Sequence, residues 1–383
     1  MNLLAYCTNV HAGPDLARAM ANLERHTLAV QARYAPGRPM GVGLWLASPG
    51  ARECVADTQI ERLRDWLGER QLIPFTFNGF PFGDFHQPVV KHAVYLPTWW
   101  ERERLEYTRD LVTILHGVLP AGLAGSISTV PIAWGTPSDA QLRAAASQLR
   151  QLADELHRLE VETGRLIHVN LEPEPGCTLD TASDVVAFFE GYLLPGSDEE
   201  RVRRYLRVCH DVCHAAVMFE DQADVLGAYR RAGIAVGKVQ VSAAVRLEVS
   251  QLAERDRAAA FDQLQAFVEP RYLHQTMVRR AGEATPRFFE DLPLALAEPR
   301  GEEYRTHFHV PIYLERFGLL EAMQGAIGAC LEALRPGECE HFEVETYAWG
   351  VLPEELRVTE LAEGIAREMD WLRRRLPAGM LRE

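Results

Sequence analysis

The chain has 383 residues, of which 47% are hydrophobic and 25% are charged, and its formal net charge is −14. This composition supports a large folded core and excludes a disordered chain, and the acidic balance argues against nucleic acid as a partner. No apolar run is long enough to span a bilayer, and residues 1–6 lack the features of a signal peptide, so we expect a cytoplasmic protein without membrane insertion.

Short apolar runs alternate with longer amphipathic runs along the chain. The predicted strands cover residues 3–7, 41–46, 73–77, 124–130, 166–172, 205–211, 236–242 and 342–346. Helices are predicted at 15–34, 58–69, 102–119, 138–163, 184–192, 221–232 and 358–375. Between the last two strands, the pattern predicts a helix at 247–267, a strand at 305–313 and a helix at 314–334.

This alternation predicts an α/β fold, a single (β/α)8 TIM barrel with a long insertion between strands seven and eight. The barrel is expected to be one domain, residues 1–383. The insertion, residues 247–340, is expected to lie over the C-terminal face of the barrel, where active sites are built. The alternative is an open doubly wound sheet, but no Gly-x-Gly-x-x-Gly follows the first predicted strand.

The seven cysteines are odd in number and scattered, which indicates reduced thiols in a cytosol. Cys209 and Cys213 are close in sequence, but no second close pair completes a thiolate zinc site. Both are therefore predicted to be small buried residues.

Three predicted strands carry one polar face, because side chains two residues apart share a face. A parallel strand covered on both sides is usually apolar throughout, so polar groups that face the barrel interior need partners or a ligand. These faces predict a converging site, and they consist of His168, Asn170 and Glu172, then Lys238, Gln240 and Ser242, then His341, Glu343 and Glu345.

Asp211 ends the sixth predicted strand, and His214 follows in the turn or first helical coil beyond it. A carboxylate and an imidazole at this position can hold a divalent cation and a substrate hydroxyl together. The alternative is that Asp211 only caps the next helix and His214 is a surface residue. The polar groups at other strand ends favour the first interpretation.

Glu172, Asp211 and Glu345 would supply oxygen ligands, and Gln240 an amide oxygen. An oxygen-rich set suits manganese, magnesium or a similar ion better than a thiolate-held zinc. A divalent metal ion (manganese, magnesium or zinc) is therefore the expected cofactor. The alternative is that some of these acids form ion pairs with Lys238 and Arg246.

Glu172-Pro173, Asp211-x-x-His214 and Glu345-Thr346-Tyr347 resemble the xylose isomerase-like superfamily of sugar isomerases and epimerases. The resemblance implies that Glu172, Asp211 and Glu345 bind metal and that His214 contacts substrate. It also implies a substrate contact for Arg246, six residues beyond Gln240. Gln240 departs from the pattern, which usually has histidine there. His307 and His309 of the insertion could supply the missing ligand, or could be a paired polar face of an inserted β-ribbon.

Longer motifs are spread over nearly the whole chain. They are Cys7-Thr8-Asn9-Val10-His11, Asn78-Gly79-Phe80-Pro81 with His86 and Lys91, Ser126-Ile127-Ser128-Thr129, Glu172-Pro173-Glu174-Pro175-Gly176-Cys177, His307-Phe308-His309-Val310-Pro311 and Glu345-Thr346-Tyr347. These motifs resemble the metabolite-traffic protein EboE family. That family occurs in gene clusters linked to making or moving a secondary-metabolite precursor, so the resemblance implies a small-molecule metabolite and partner proteins of a pathway.

His11 and His86 lie just beyond the first and third predicted strands, and Lys91 begins the next segment. Together they could bind a phosphate or carboxylate of the substrate, or be ordinary loop residues. The loop also carries Phe80 and Phe85, which could wall a hydrophobic pocket or only pack the loop onto the barrel.

The sequence is compatible with three functions. The first is a metal-dependent isomerase or epimerase of a small polyhydroxy carbonyl compound, in which Glu172 and Glu345 move a proton through an enediolate. The second is a phosphodiester hydrolase, which the acidic balance disfavours. The third is a non-catalytic barrel that binds or carries a metabolite. A homo-oligomer is compatible with all three.

Overall fold

The computed structural model describes residues 3–298 and 301–376, so residues 1, 2, 299, 300 and 377–383 of the predicted domain lie outside the described residues. Eight parallel strands form one sheet in the order β1-β14-β7-β6-β5-β4-β3-β2. A parallel bridge between Cys7 and Gly43 joins its two edge strands. The strands are β1 (Leu3–Tyr6), β2 (Met40–Leu44), β3 (Leu72–Asn78), β4 (Gly125–Thr129), β5 (Ile167–Leu171), β6 (Leu206–Asp211), β7 (Val236–Val241) and β14 (His341–Val344). The predicted (β/α)8 barrel is thus confirmed.

Helices follow the barrel strands and cover the outside of the sheet, because each has an apolar stripe that packs on the strands. No helix among the described residues is long and apolar enough to cross a membrane. The helices are α1 (Leu16–Asn22), α2 (Leu28–Tyr34), α3 (Ser48–Val55), α4 (Gln59–Glu69), α5 (Arg102–Val118), α6 (Asp139–Thr163), α7 (Ala182–Phe188), α8 (Glu199–Tyr205), α9 (Val212–Val217), α10 (Gln222–Arg231), α11 (Glu254–Gln265), α12 (Leu292–Ala297), α13 (Gln324–Ala333) and α14 (Leu361–Arg373).

The segment between β7 and β14 forms a second sheet, which is antiparallel and has the strand order β10-β9-β11-β8-β13-β12. Its long strand β11 pairs with β8 on one side and with β9 on the other, and its register with β8 shifts between Thr306 and Val310. A bulge of this kind changes the direction in which side chains point. Here the bulge spans His307 and His309. The strands are β8 (Ala243–Glu248), β9 (Thr276–Arg279), β10 (Arg287–Phe289), β11 (Glu303–Val310), β12 (Arg316–Phe317) and β13 (Leu320–Ala322).

Two predicted helices of the insertion are wrong in their first halves. The helix predicted at 247–267 begins only at Glu254, and the one predicted at 314–334 begins only at Gln324. The residues before them form β8, β12 and β13 instead. Pairing within the second sheet decides their conformation, because β8 pairs with β11 and β13, and β12 pairs with β13. Such tertiary pairing overrides local propensity.

The interior of the barrel is polar rather than apolar. Lys238 and Glu343 form an ion pair of 2.5 Å, and both side chains are fully buried. Gly43 makes room for this pair, because a Cβ at that position would lie 1.4 Å from Glu343 Oε1. Lys238 therefore pairs with Glu343, which is not one of the three acids that the sequence analysis considered as metal ligands.

Candidate active site and metal centre

A cavity with an empty volume of about 520 Å³ opens at the carboxyl ends of the barrel strands. This is the end of a barrel at which loops assemble active sites. The second sheet contributes to its wall through β11. Its lining includes three glutamates and three histidines, namely Glu172, Glu174, Glu345, His214, His307 and His309.

Asp211 caps a helix and also keeps one carboxylate oxygen free, so its role as a metal ligand stays a prediction. Its Oδ1 accepts hydrogen bonds from the backbone N–H of His214, at 2.9 Å, and from Ser242 Oγ, at 2.8 Å, so it caps α9. Its Oδ2 is buried and has no hydrogen-bond partner among the described residues. Burial would raise the pKa of Asp211, but the imidazoles of His214 and His309 lower it below its usual value. The carboxylate is therefore held ionised with one oxygen free.

Glu172 and Glu345 are buried carboxyl groups beside Asp211. Burial raises the pKa of Glu172 to about 7 and that of Glu345 well above its usual value, and the neighbouring carboxylates add to the shift of Glu345. Glu345 Oε1 accepts hydrogen bonds from the side-chain amides of Asn9, at 2.8 Å, and Asn78, at 2.5 Å. Glu172 Oε2 is buried and has no partner in the described part of the chain.

The imidazoles of His214 and His309 are oriented toward the same carboxylate. His214 Nδ1 donates to the carbonyl of Pro173 at 2.7 Å, and His309 Nδ1 donates to the carbonyl of Glu345 at 2.5 Å. Each Nε2 therefore carries a lone pair when the ring is neutral, and each lies 3.9 Å from Asp211 Oδ2. Burial lowers the pKa of His309 to about 4, which keeps that ring neutral.

His307 belongs to a second group on the same side of the cavity. Its Nδ1 donates to Gln275 Oε1 at 2.8 Å, and its Nε2 lies 3.2 Å from His214 Nε2. Burial lowers the pKa of His307 well below its usual value. Glu174 completes the group, and its Oε1 accepts from Tyr95 Oη at 2.7 Å.

These side chains fit a divalent metal ion. The ligand atoms of Glu172, Asp211 and Glu345 lie within 4.8 Å of one another, and so do those of Asp211, His214 and His309. Glu172 Oε2, Asp211 Oδ2 and His309 Nε2 are buried without hydrogen-bond partners among the described residues. Unpartnered buried polar atoms are costly unless a ligand satisfies them. Carboxylate oxygens with one or two imidazole nitrogens form a donor set that manganese, magnesium and zinc accept.

Comparison with known proteins places this arrangement in a recognised fold. The chain is similar to a xylose isomerase-like TIM barrel protein from Mycobacterium smegmatis in complex with magnesium, with a TM-score of 0.55, 11% identity, and coverage of 99% of this chain and 98% of that one. The fold is that of the xylose isomerase-like TIM barrels. The fold that the superfamily resemblance predicts is confirmed, and the EboE resemblance stays a prediction.

Two further solved structures are similar to the chain with lower TM-scores. The probable 3-DHS dehydratase AsbF, involved in petrobactin synthesis in Bacillus anthracis, has a TM-score of 0.47 and 14% identity over 97% of this chain and 99% of that one. The IOLI protein with a binding zinc atom has a TM-score of 0.47 and 11% identity over 97% of this chain and 96% of that one. Neither a protein-family model nor a curated protein sequence matches the chain.

Arg246, which was expected to contact substrate, does not line the cavity. It is on β8, where its guanidinium forms ion pairs with Glu248, Glu303 and Glu321. The spacing of six residues after Gln240 was the reason for expecting a substrate contact. Arg246 lies elsewhere because the chain turns into β8 of the second sheet immediately after β7. The guanidinium of Arg246 therefore faces the acids of the insertion.

His11 and His86 also lie outside the lining of the cavity, although both are near the strand ends as expected. His11 lies 3.2 Å from the Tyr6 hydroxyl and stacks on His26, and burial lowers its pKa to about 3. His86 Nε2 lies 2.6 Å from the carbonyl of Asn9. Their contacts are those of residues that support the loops, which is the alternative interpretation of the sequence.

Lys91 does line the cavity, but its charge is paired. Its Nζ forms an ion pair with Asp291 and donates to the carbonyl of Tyr272 at 3.1 Å. Gln240 stands beside Asp211 in the register of β6 and β7, and both of its side-chain polar atoms are buried without a partner in the described chain. Its role as a ligand stays a prediction.

Several residues of the site were not singled out from the sequence. The sequence analysis did not name as site residues the two asparagines that bind Glu345, Asn9 and Asn78. It also did not name Glu174 and its partners Tyr95 and Gln275. Asn78 ends β3, and Asn9 follows β1 closely. The same rule that identified Asp211, a polar residue at a strand end, could have identified both asparagines. Gln275 precedes β9 in the insertion, and no local pattern marks it.

Proposed function

We propose that the protein is a divalent-metal-dependent isomerase or epimerase that acts on a small hydroxy-carbonyl metabolite. The observation that supports this most strongly concerns Asp211, whose Oδ2 is buried without a partner among the described residues. Asp211 belongs to two groups whose ligand atoms lie within 4.8 Å of one another, one with Glu172 and Glu345 and one with His214 and His309. Glu172, Asp211, Glu345 and His309 would hold the ion, with His309 of β11 as the fourth ligand instead of Gln240. A bound divalent ion supplies Lewis-acid polarisation of carbonyl and hydroxyl oxygens.

The remaining chemistry belongs to the side chains of the chain itself. Glu172 follows β5 and Glu345 follows β14, so they come from different strand ends of the barrel and can act as general base and general acid at two positions of a substrate. Asn9 and Asn78 fix the Glu345 carboxyl through Oε1. His214, which Pro173 orients, would contact a substrate hydroxyl. The burial of Glu172, His214 and Glu345 restricts water around these groups.

The decisive experiment measures metal and proton exchange together. The purified protein is analysed for bound metal by mass spectrometry, titrated with manganese by calorimetry, and incubated in deuterated water with α-hydroxy ketones that differ in the polarity of their chains. We expect one tightly bound divalent ion and exchange of a carbon-bound proton that Glu345→Gln abolishes. Absence of both metal binding and metal-induced stabilisation would refute the proposal.

A second candidate function has one observation in its favour. The Nε2 atoms of His214 and His307 lie 3.2 Å apart with Glu174 nearby, so this group could hold a second ion. Two-metal sites are typical of phosphodiester hydrolases. The net charge of −14 opposes binding of a polyanion. Incubation with DNA that contains an abasic site tests this alternative, and the absence of cleavage would exclude it. The predicted links to metabolite traffic, partner proteins and a cytoplasmic location stay predictions.

A further inference from the structure

An aromatic wall lies directly beside the imidazoles of the candidate metal centre. The ring of Tyr347 is 4.8 Å from that of His309, 5.4 Å from Phe85 and 5.1 Å from Tyr272, measured between ring centroids. Phe85 and Tyr272 are in turn 4.9 Å apart. All three aromatic residues line the cavity and are buried. A ligand held at the metal centre would therefore contact ring faces and edges.

The rest of the outer lining is apolar as well. Phe80 and Tyr95 are in contact, with their ring centroids 6.0 Å apart, and Val90, Val94 and Leu273 complete this part of the cavity. The cavity thus has a polar inner end and an apolar outer part.

The charged group of this outer part and two of its hydroxyl groups already have partners. The Tyr272 hydroxyl donates to a backbone carbonyl at 3.1 Å, and the Tyr95 hydroxyl donates to Glu174 Oε1 at 2.7 Å. The ammonium of Lys91 forms an ion pair with Asp291. Among the described residues that line the cavity, Lys91 is the one lysine or arginine. A phosphate on the ligand would therefore find no unpaired cation among these lining residues.

We infer that the substrate has two unlike ends, a hydroxy-carbonyl head and an uncharged apolar body. The inference rests on the proposed function, because the metal centre fixes where the head lies. The head would lie at Glu172, Glu345 and His309. Asn9 Oδ1 is buried there without a partner in the described part of the chain, so it can accept a hydrogen bond from a substrate hydroxyl. The body would pack against the aromatic wall formed by Phe85, Tyr272 and Tyr347 and against the aliphatic side chains opposite it. Free sugars and sugar phosphates do not have this distribution of polarity.

The size of the effect follows from transfer energies. Each methylene group buried against the wall strengthens binding by roughly fourfold. A hydroxyl group buried there without a partner weakens binding by roughly fivefold or more. The wall therefore discriminates strongly against a ligand that is polar along its whole length.

Hydroxamates test this inference, since they share one metal-chelating head and differ only in the body. Calorimetry on the zinc-loaded protein compares acetohydroxamate, hexanohydroxamate, fructose and fructose 6-phosphate. Hexanohydroxamate has four more methylene groups than acetohydroxamate, so we expect it to bind at least about tenfold more tightly. Fructose 6-phosphate is expected to bind no more tightly than fructose.

A matched pair of variants locates the apolar body. Val94 lines the cavity and is half-buried, whereas its neighbour Ala93 is exposed and does not line it. Val94→Ser should weaken the binding of hexanohydroxamate by about fivefold and leave acetohydroxamate unchanged. Ala93→Ser should change neither. Both substitutions are small changes near the surface, so folding can be verified by unaltered melting temperatures.

The outcomes separate the inference from the proposed function. If acetohydroxamate binds only when zinc is present but the longer chain gains nothing, the inference is overturned and the metal centre stands. Tighter binding of fructose 6-phosphate than of hexanohydroxamate would overturn it in the same way. If zinc does not bind and does not alter the binding of any hydroxamate, the proposed function itself fails.

Discussion

The substitution His309→Asn separates the ligand role of this residue from its structural role. The asparagine amide can still donate to the Glu345 carbonyl, as His309 Nδ1 does. Nothing replaces Nε2, which has no hydrogen-bond partner among the residues that the structure describes. Gln240→Met is the matched control, because it removes the amide oxygen of the competing candidate ligand while keeping the length of the side chain.

The expected magnitude follows from binding linkage. Loss of a ligand should weaken metal affinity by about 100-fold, since even loss of an outer-shell partner weakens it by about 10- to 100-fold. At a metal concentration about 100 times the wild-type Kd, the ion stabilises the wild type by about 2.7 kcal/mol but the variant by only about 0.4 kcal/mol. With an unfolding entropy of about 2 cal/mol/K per residue, the wild-type Tm rises by about 3 °C and that of His309→Asn by less than about 1 °C.

Melting curves with chelator and with added manganese, together with titration against a competing metal indicator, measure both quantities. Gln240→Met should retain the full metal-induced rise in Tm and the wild-type affinity. An equal rise in His309→Asn and the wild type, combined with loss of the rise in Gln240→Met, would refute the assignment of His309 as the fourth ligand and restore the prediction made for Gln240.

Three further predictions concern stability. Lys238→Met should destabilise the protein by about 3–5 kcal/mol in denaturant unfolding, since it leaves Glu343 buried and unpaired, and adding Glu343→Gln should recover most of this loss; no recovery would contradict the pairing. Arg246→Gln should lower stability by about 1 kcal/mol without changing metal or hydroxamate affinity, and the opposite pattern would restore its predicted contact with substrate. The unfolded chain protonates His11 below its ordinary pKa of 6.5, whereas the folded protein does so only near 3, so His11 lowers stability as the pH falls. Between pH 7.5 and pH 5 the wild type should lose about 2 kcal/mol more than His11→Gln, and equal losses would show that His11 is not held neutral.

The sequence by itself determined the barrel and half of the site. Polar residues at period two within otherwise apolar strands indicated a polar interior, and the acids at the ends of β5, β6 and β14 were named as converging. The parallel barrel requires this convergence, because all of its strands end at the same face. Glu172, Asp211 and Glu345 could therefore be predicted from local patterns, since each position depends mainly on its own strand.

Only the tertiary structure decided what the insertion does. The sequence left His307 and His309 open as ligands or as a polar ribbon face, and it assigned Arg246 to the substrate by spacing alone. Antiparallel pairing of β8 with β11 sends Arg246 to the acids of the second sheet and, through the register shift after Thr306, brings both histidines to the cavity. These positions depend on contacts between segments about sixty residues apart, for example Arg246 and Glu303 with a separation of 57. Local propensity carries no information on such contacts, because side-chain packing across strands determines them.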